Sequence, residues 1–271
     1  MSTFVYDLIG LTAGICFVLA LKGLSSPKSA RRGNLIGALG ATIATVVIFF
    51  YASPDKEGNA TSLPINNLGW ILGAIAVGTL IGVPAAKKVQ MTQMPQLVAL
   101  FNGVGGGAAA LVAIVEYLSL GTGATTAVVI ATVFTVVVGC VSFSGSIITF
   151  MKLQELMTTR PVVFPGGRFV IAGTLVAVLG VSGWVVVALG TTPLLILAAL
   201  SLLFGILFVL PVGGADVPIV ISLLNAFTGL TVAASGYVLD STMLIIAGTL
   251  VGASGTILTR MMAEAMGRSL F

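Results

Sequence analysis

The sequence has very few charged residues and no histidine. Of its 271 residues only 7% are charged, whereas 58% are hydrophobic, and the mean hydropathy is +1.17. Soluble domains carry about 25% charged residues, so this composition excludes a soluble globular protein. Without histidine the chain lacks the commonest side-chain proton carrier and metal ligand. Its two cysteines, Cys16 and Cys140, lie in separate apolar segments and predict neither a disulfide framework nor a metal site.

Apolar segments long enough to cross a bilayer occupy most of the chain. A hydrocarbon core about 30 Å thick requires about 20 helical residues. On that scale the sequence predicts an all-α polytopic membrane protein with nine transmembrane helices, forming a single transmembrane domain over residues 1–271. The predicted spans are 4–21, 34–52, 67–86, 95–118, 124–151, 169–189, 194–212, 217–239 and 242–264.

The basic residues indicate how the chain is oriented. All of the 12 Lys and Arg residues except Lys56 fall on the same side of the predicted spans. Lysine and arginine accumulate in cytoplasmic loops, so we expect the N-terminus outside and the C-terminus in the cytoplasm. The net charge of +4 then serves as an orientation signal and predicts no nucleic-acid partner.

Spans 4–5 and 8–9 share a sequence pattern. In spans 4 and 8 a proline is followed seven residues later by asparagine and eleven residues later by glycine. The matching positions are Pro95 with Pro218, Asn102 with Asn225, Gly106 with Gly229 and, in the following spans, Ser146 with Thr256. Spans 4 and 8 cross the membrane in the same direction, so the pattern predicts a parallel internal repeat with a central pathway at its interface.

Two asparagines lie at matched depth in this repeat. If Pro95 and Pro218 begin their helices, Asn102 and Asn225 lie about 10 Å into the membrane from the cytoplasmic side. An amide buried in hydrocarbon requires hydrogen-bond partners. Two interpretations therefore stay open. The asparagines join helices to one another, or they form a functional polar level, that is, a set of polar side chains at the same depth in the membrane.

The carboxylates lie near the ends of the predicted spans, so the chain has no complete proton relay of its own. Asp216 stands two residues before Pro218 at the cytoplasmic start of the eighth span. Its charge either stabilises the N-terminus of that helix or controls access to the level of Asn225. No glycine cluster lies in a strand, turn and helix unit, so the sequence predicts no nucleotide site.

Several motifs together resemble the membrane region of the beta subunit of proton-translocating NAD(P) transhydrogenase. They are Met94-Pro-Gln-Leu-Val-Ala-Leu100, Ala215-Asp-Val-Pro218 through Leu-Leu-Asn225, Ala247-Gly-Thr-Leu-Val-Gly-Ala-Ser-Gly255 and Ala265-Met-Gly-Arg-Ser269. The resemblance extends over essentially the whole chain. In that family a cytoplasmic NADP(H)-binding domain follows the last helix, and the resemblance implies that such a domain would follow residue 271.

The resemblance also implies a function and the residues that perform it. The family exchanges hydride between NAD(H) and NADP(H) and couples this reaction to proton movement, so the chain is expected to be the membrane part of an enzyme without a cofactor site of its own. The residues expected on the proton pathway are Asn102, Asn225, Ser146 and Asp216. The residues expected in coupling and helix packing are Gly236, Gly248, Gly252, Gly255 and Arg268.

One of these positions departs from the family pattern. Asn102 stands where many members carry a membrane histidine, and an amide cannot take up a proton near neutral pH. We therefore expect an alpha-type membrane subunit to supply a titratable histidine beside Asn102 and Asn225. The other expected partners are cytoplasmic NAD(H) and NADP(H) domains and a second copy of the complete unit, in a bacterial cytoplasmic membrane.

Two other functions fit the same repeat and polar level. The chain could be a secondary transporter for a small solute, because such transporters also place their sites at repeat interfaces near mid-membrane. It could also be a passive anchor for soluble partners. The sequence leaves both alternatives open.

Overall fold

The computed structural model describes residues 3–49 and 68–268. Within these residues the chain forms nine α-helices and short 3₁₀ turns without any strand, which confirms the predicted all-helical fold for this part of the chain. The helices are α1 (Thr3–Leu24), α2 (Pro27–Ile48), α3 (Leu68–Lys88), α4 (Met94–Leu120), α5 (Thr126–Leu153), α6 (Gly167–Ala188), α7 (Thr191–Val209), α8 (Val217–Val238) and α9 (Thr242–Ala265).

Seven helices of the described residues, α3 to α9, are long and apolar enough to cross a membrane. This finding indicates a multi-pass membrane protein. Helix α1 falls outside this set, since the apolar part found in its described residues is the shorter segment Leu8–Leu24. Helix α2 also falls outside it and carries Lys28, Arg31 and Arg32 near its start. The count of nine spans and their orientation therefore stay predictions, and Lys56 lies outside the described residues.

Helix α2 begins before the predicted span at residue 34. Ser26 has extended backbone angles, and Pro27 follows it at the first helical position, where the missing proline N–H costs no hydrogen bond. Apolarity locates the part of a helix that can lie in hydrocarbon, but backbone hydrogen bonding continues through the basic residues that precede it. The sequence prediction therefore missed the first turns of this helix.

The chain divides into two compact units between Gln90 and Met91. In the first unit, α1 and α2 form a hairpin in which Gly33 lies against the backbone of Gly23, and Gly40 against the side chain of Cys16. Small residues let helix backbones approach closely, which is how helices in a bilayer gain van der Waals contact. Helix α3 has no buried residue among those described.

In the second unit, α5 packs against α4, α6, α7 and α8, while α9 packs against α8. The buried apolar core between α4, α5, α6 and α7 includes Val136, Val178, Val185, Leu194 and Leu197. The helix pairs of this unit with the most extensive contact are α4 with α5 and α8 with α9. Both halves of the predicted repeat are thus helix hairpins, and the symmetry that relates them stays a prediction.

Five helix ends meet at one end of the second unit, which we call the Asp216 end. Here the Gln96 side chain, at the start of α4, donates to the Leu153 carbonyl at the end of α5 (3.2 Å). Further hydrogen bonds join the same region to the end of α7, the start of α8 and the residues after α9. The basic residues predict that the Asp216 end faces the cytoplasm.

Candidate functional site

Asn102 and Ser146 form a buried polar pair between α4 and α5. The Asn102 amide nitrogen donates to the Ser146 hydroxyl oxygen at 2.9 Å, and Asn102 is only 8% exposed. A Cβ atom on Gly103 would lie 3.1 Å from that of Ser146, so the glycine permits this close approach. The other amide atom, Oδ1 of Asn102, is buried and has no hydrogen-bond partner among the described residues. It can accept a hydrogen bond from water or from a donor on another chain.

A second polar contact, between α5 and α8, was not anticipated from the sequence. The Ser142 hydroxyl donates to the Leu224 carbonyl at 2.9 Å, and the Thr228 hydroxyl lies 3.0 Å from both Ser142 Oγ and that carbonyl. Ser142 precedes Ser146 by four residues and so lies on the same face of α5, which is a signal that sequence analysis could have used. The two serines connect α5 to α4 and to α8 on neighbouring turns.

Asn225 is not hydrogen-bonded to the other residues of the predicted polar level. It is half-buried on α8, and its side chain makes no hydrogen bond to any described residue. Asn102 and Ser146 are therefore in direct contact, whereas Asn225 is not hydrogen-bonded to either of them. An amide in a membrane helix requires a partner, so its half-exposed side must meet water or another chain.

Helices α8 and α9 have a polar contact of their own. The Thr259 hydroxyl lies 2.9 Å from Ser222 Oγ and 2.7 Å from the Gly255 carbonyl of its own helix. Ser222 and Thr259 are both buried. Neither residue was singled out in the sequence, because isolated Ser and Thr in apolar helices often bond their own backbone and carry no distinctive pattern.

The four predicted packing glycines all lie between α8 and α9. A Cβ atom on Gly252 would lie 2.9 Å from the Leu230 side chain, and one on Gly236 would lie 2.7 Å from the Ile245 backbone nitrogen. Gly248 faces the Ala233 backbone and Gly255 faces Ala226. Their position in this interface agrees with the predicted role in packing, while a role in coupling stays a prediction.

Asp216 and Arg268 meet at the Asp216 end. The Arg268 Nε atom donates to Asp216 Oδ1 at 3.0 Å, and the two side chains are 60% and 31% exposed, respectively. Asp216 occupies the position before the first residue of α8, yet its carboxylate makes no hydrogen bond to the N-terminal amides of that helix. The carboxylate instead connects the start of α8 to the residues after α9.

A cavity of about 820 Å³ opens beside this ion pair. Its lining includes Arg160, Pro161, Ile219 and Leu223 together with both members of the pair. Two backbone hydrogen bonds join the segment after α5 to the segment after α7 at the wall of this cavity. The Val162 amide donates to the Leu210 carbonyl (3.0 Å), and the Gly214 amide donates to the Thr159 carbonyl (2.9 Å).

Lys152, near the end of α5, is fully buried, with 0% exposure. Its ammonium donates to three backbone carbonyls, those of Val209 (3.2 Å), Leu210 (2.6 Å) and Val212 (2.6 Å). From the sequence, this lysine was interpreted only as an indicator of the orientation of the chain in the membrane. Nothing in the local sequence around residue 152 indicates that its partners lie at the end of α7.

Comparisons with known proteins identify the family of this chain. The family model described as NAD(P) transhydrogenase beta subunit matches residues 6–271. The chain belongs to this family. Two curated relatives from Rhodospirillum rubrum, one of them from a specified strain, are named NAD(P) transhydrogenase subunit beta; each is 41% identical over 268 residues, which is 96% of this chain. The resemblance inferred from the motifs is thereby confirmed.

The chain spans 55% of the length of these transhydrogenase beta subunits. NAD(P) transhydrogenases are oxidoreductases, and the description of the family as a beta subunit implies that its members work with other subunits. Together with the seven long apolar helices among the described residues, family membership indicates a multi-pass membrane protein.

Proposed function

We propose that this chain is the proton-translocating membrane part of an NAD(P) transhydrogenase. In the complete enzyme, proton movement across the membrane would be coupled to hydride transfer between NAD(H) and NADP(H), with both nucleotides bound outside this chain. Family membership supports the reaction class. The observation that carries the proton path is the buried Oδ1 atom of Asn102, which has no partner among the described residues and lies beside the bonded Ser146 hydroxyl.

In this proposal the polar side chains orient water but do not themselves carry the proton. The Asn102 carbonyl oxygen and the Asn225 amide would bind water molecules, and the Ser146 hydroxyl would hold Asn102 in place. Since an amide does not titrate near neutral pH, the proton would be taken up by a histidine of an alpha-type membrane subunit that reaches the level of Asn102 and Asn225. A complex whose partner places no ionisable side chain at that level would contradict this proposal.

Exchange of the proton with the cytoplasm would take place at the Asp216 end. There Asp216 would control entry to the path, and its ion pair with Arg268 would carry movements of the nucleotide-binding part to α8 and α9. The glycine contacts between these helices let the two backbones lie close together, so that they can shift as a pair. Linkage requires that nucleotide state changes proton affinity by the same free energy by which protonation changes nucleotide affinity.

We infer further that the complete unit is a homodimer in a bacterial cytoplasmic membrane, with the N-terminus of this chain outside and its C-terminus in the cytoplasm. The distribution of lysine and arginine supports this orientation.

The test uses the complete enzyme in sealed vesicles, where hydride exchange and internal pH are followed together. We expect wild-type exchange to move protons and Asn225→Leu to abolish both. Asn34→Leu, which replaces an exposed asparagine of α2, is the matched control and should behave as wild type. Wild-type exchange without any pH change would overturn the proton path. Absence of exchange together with flux of a small solute would favour the transporter alternative.

A passive anchor is distinguished by a double variant. If Asn102→Leu/Asn225→Leu left assembly, exchange and proton movement intact, the polar level would have no function and the chain would serve only to hold its partners. We expect instead that the double variant assembles and moves no protons.

A further inference from the structure

Lys152 is a buried cation whose three donors are all used. Burial of an ammonium group is costly unless its lost water is replaced by hydrogen-bond partners. Here three backbone carbonyls replace that water and match the three N–H groups of the ammonium. No carboxylate of the described residues lies within ion-pair distance of Lys152, so its charge is stabilised by backbone dipoles.

The accepting carbonyls belong to the end of α7 and to the turn that follows it. The last carbonyls of a helix have no partner within the helix, and they carry its negative dipole end. Val209 is the last residue of α7, and Leu210 and Val212 follow it. Lys152 therefore ties this turn to the end of α5.

The same turn leads directly to Asp216. Beyond Val212, a 3₁₀ turn over Gly214–Asp216 joins it to α8. In the other direction, Lys152 lies six residues after Ser146 on α5, the helix that holds the buried pair with Asn102. One side chain thus connects the helix of the polar pair with the segment that carries the Asp216 carboxylate.

We propose that Lys152 is a positioning residue: its ammonium holds the turn between α7 and α8 against α5 and thereby keeps Asp216 in place to pair with Arg268. The consequence for coupling rests on the proposed function. A movement of α5 would then reach the entry of α8 through Lys152. Lys152 itself neither touches a nucleotide nor carries the transported proton.

The first measurement is amide hydrogen exchange in the complete enzyme, which does not depend on its activity. The amides of Gly214 and Asp216, which donate to Thr159 and Gly213, report on the turn. In Lys152→Met we expect these amides to exchange about tenfold faster or more, since local opening no longer breaks the lysine contacts. Lys152→Arg keeps the charge and the N–H donors and should restore much of the protection. Lys88→Met removes an exposed lysine of α3 and is the control for loss of charge.

The second measurement is a double-mutant cycle on protons moved per hydride transferred, with Lys152→Met, Asp216→Asn and the combination. If Lys152 acts by positioning Asp216, each single variant lowers the ratio by about fivefold or more, and the double variant lowers it no further. Residues that act independently would instead show losses that multiply. If Lys152→Met does not assemble, Lys152→Gln takes its place in both measurements, because its amide can still donate to a carbonyl.

The outcomes separate this inference from the proposed function. Unchanged exchange at Gly214 and Asp216, or losses that multiply in the cycle, would overturn the role of Lys152. Faster exchange in Lys152→Met, in an enzyme whose wild type moves no protons, would support the positioning role and overturn the proposed function.

Discussion

The hairpins α4–α5 and α8–α9 carry matching sequence patterns, and the structure allows them to be compared position by position. The matched glycines Gly106 and Gly229 both lie at close contacts between the two helices of their hairpin. A Cβ atom would lie 2.8 Å from the Ser142 side chain at the first and 2.5 Å from the Gly252 backbone at the second. Thr149 and Thr259, which lie three residues after the matched Ser146 and Thr256, both bond the carbonyl four residues earlier. The glycines and threonines at these positions therefore make the same kinds of contact in the two hairpins.

The matched asparagines are used differently. Asn102 is buried and bonded to Ser146, whereas Asn225 is half-buried and bonded to no described residue. Thr256, which matches Ser146, bonds the Gly252 carbonyl of its own helix. The α8–α9 hairpin has an additional contact through Ser222, where the first hairpin has Ala99. The first hairpin therefore provides a hydrogen-bond partner for its own asparagine, while the second leaves Asn225 to water or a partner chain.

The largest effect is expected from crowding the two glycine contacts. Gly106→Val and Gly229→Val each force helices apart and should lower the stability by about 3 kcal/mol, with Gly229→Val the more damaging because its neighbour is backbone. Thermal unfolding of the purified protein in detergent measures this. Gly180→Val, with no atom within 4 Å of an added Cβ, is the control. Effects no larger than that of the control would mean that the two hairpins are not packed as described.

Substitution of the two asparagines should have smaller and unequal effects on stability. In the chain without partner subunits, Asn102→Leu removes a buried hydrogen bond and should cost about 1 kcal/mol, whereas Asn225→Leu should cost nothing. The same unfolding measurement gives the difference. An equal cost for the two variants would show that Asn225 has a partner within this chain, and the contrast between the hairpins would disappear.

Thr149 and Thr259 allow the two hairpins to be tested through a smaller difference in stability. Thr149→Val removes only a bond to its own helix, but Thr259→Val also removes the contact with Ser222. We expect Thr259→Val to cost about 0.6 kcal/mol more than Thr149→Val, the typical value of a hydrogen bond between membrane helices. Ser222→Ala should abolish that difference when it is combined with each variant.

The smallest effect on stability is expected at the ion pair that is found beside α8 and α9. Arg268→Ala should change stability by less than about 0.5 kcal/mol, because Asp216 and Arg268 are partly exposed. In the complete enzyme it should nevertheless lower the number of protons moved per hydride transferred. Arg260→Ala removes the exposed pair with Glu264 within α9 and should leave this ratio unchanged. Unchanged proton movement and hydride exchange in Arg268→Ala would count against a coupling role.

Most of the fold follows from the sequence alone. The lengths of the apolar segments predicted α3 to α9 to within a few residues, because each membrane helix satisfies its backbone hydrogen bonds by itself and needs no information from its neighbours. Pro95 and Pro218 located the starts of α4 and α8 for the same local reason. The start of α2 was missed, since a helix can extend beyond its apolar part.

The hydrogen-bond partners of the polar side chains depend on how the helices pack and could not be predicted from the sequence. The sequence singled out four residues that form two hydrogen-bonded pairs, Asn102 with Ser146 and Asp216 with Arg268. It did not predict that these residues pair. It also did not predict that Asn102 is hydrogen-bonded within this chain while Asn225 is not, and it treated Lys152 as a charge in a loop. Which side chains meet depends on the rotation and crossing of the helices, and these result from many weak contacts between residues distant in sequence.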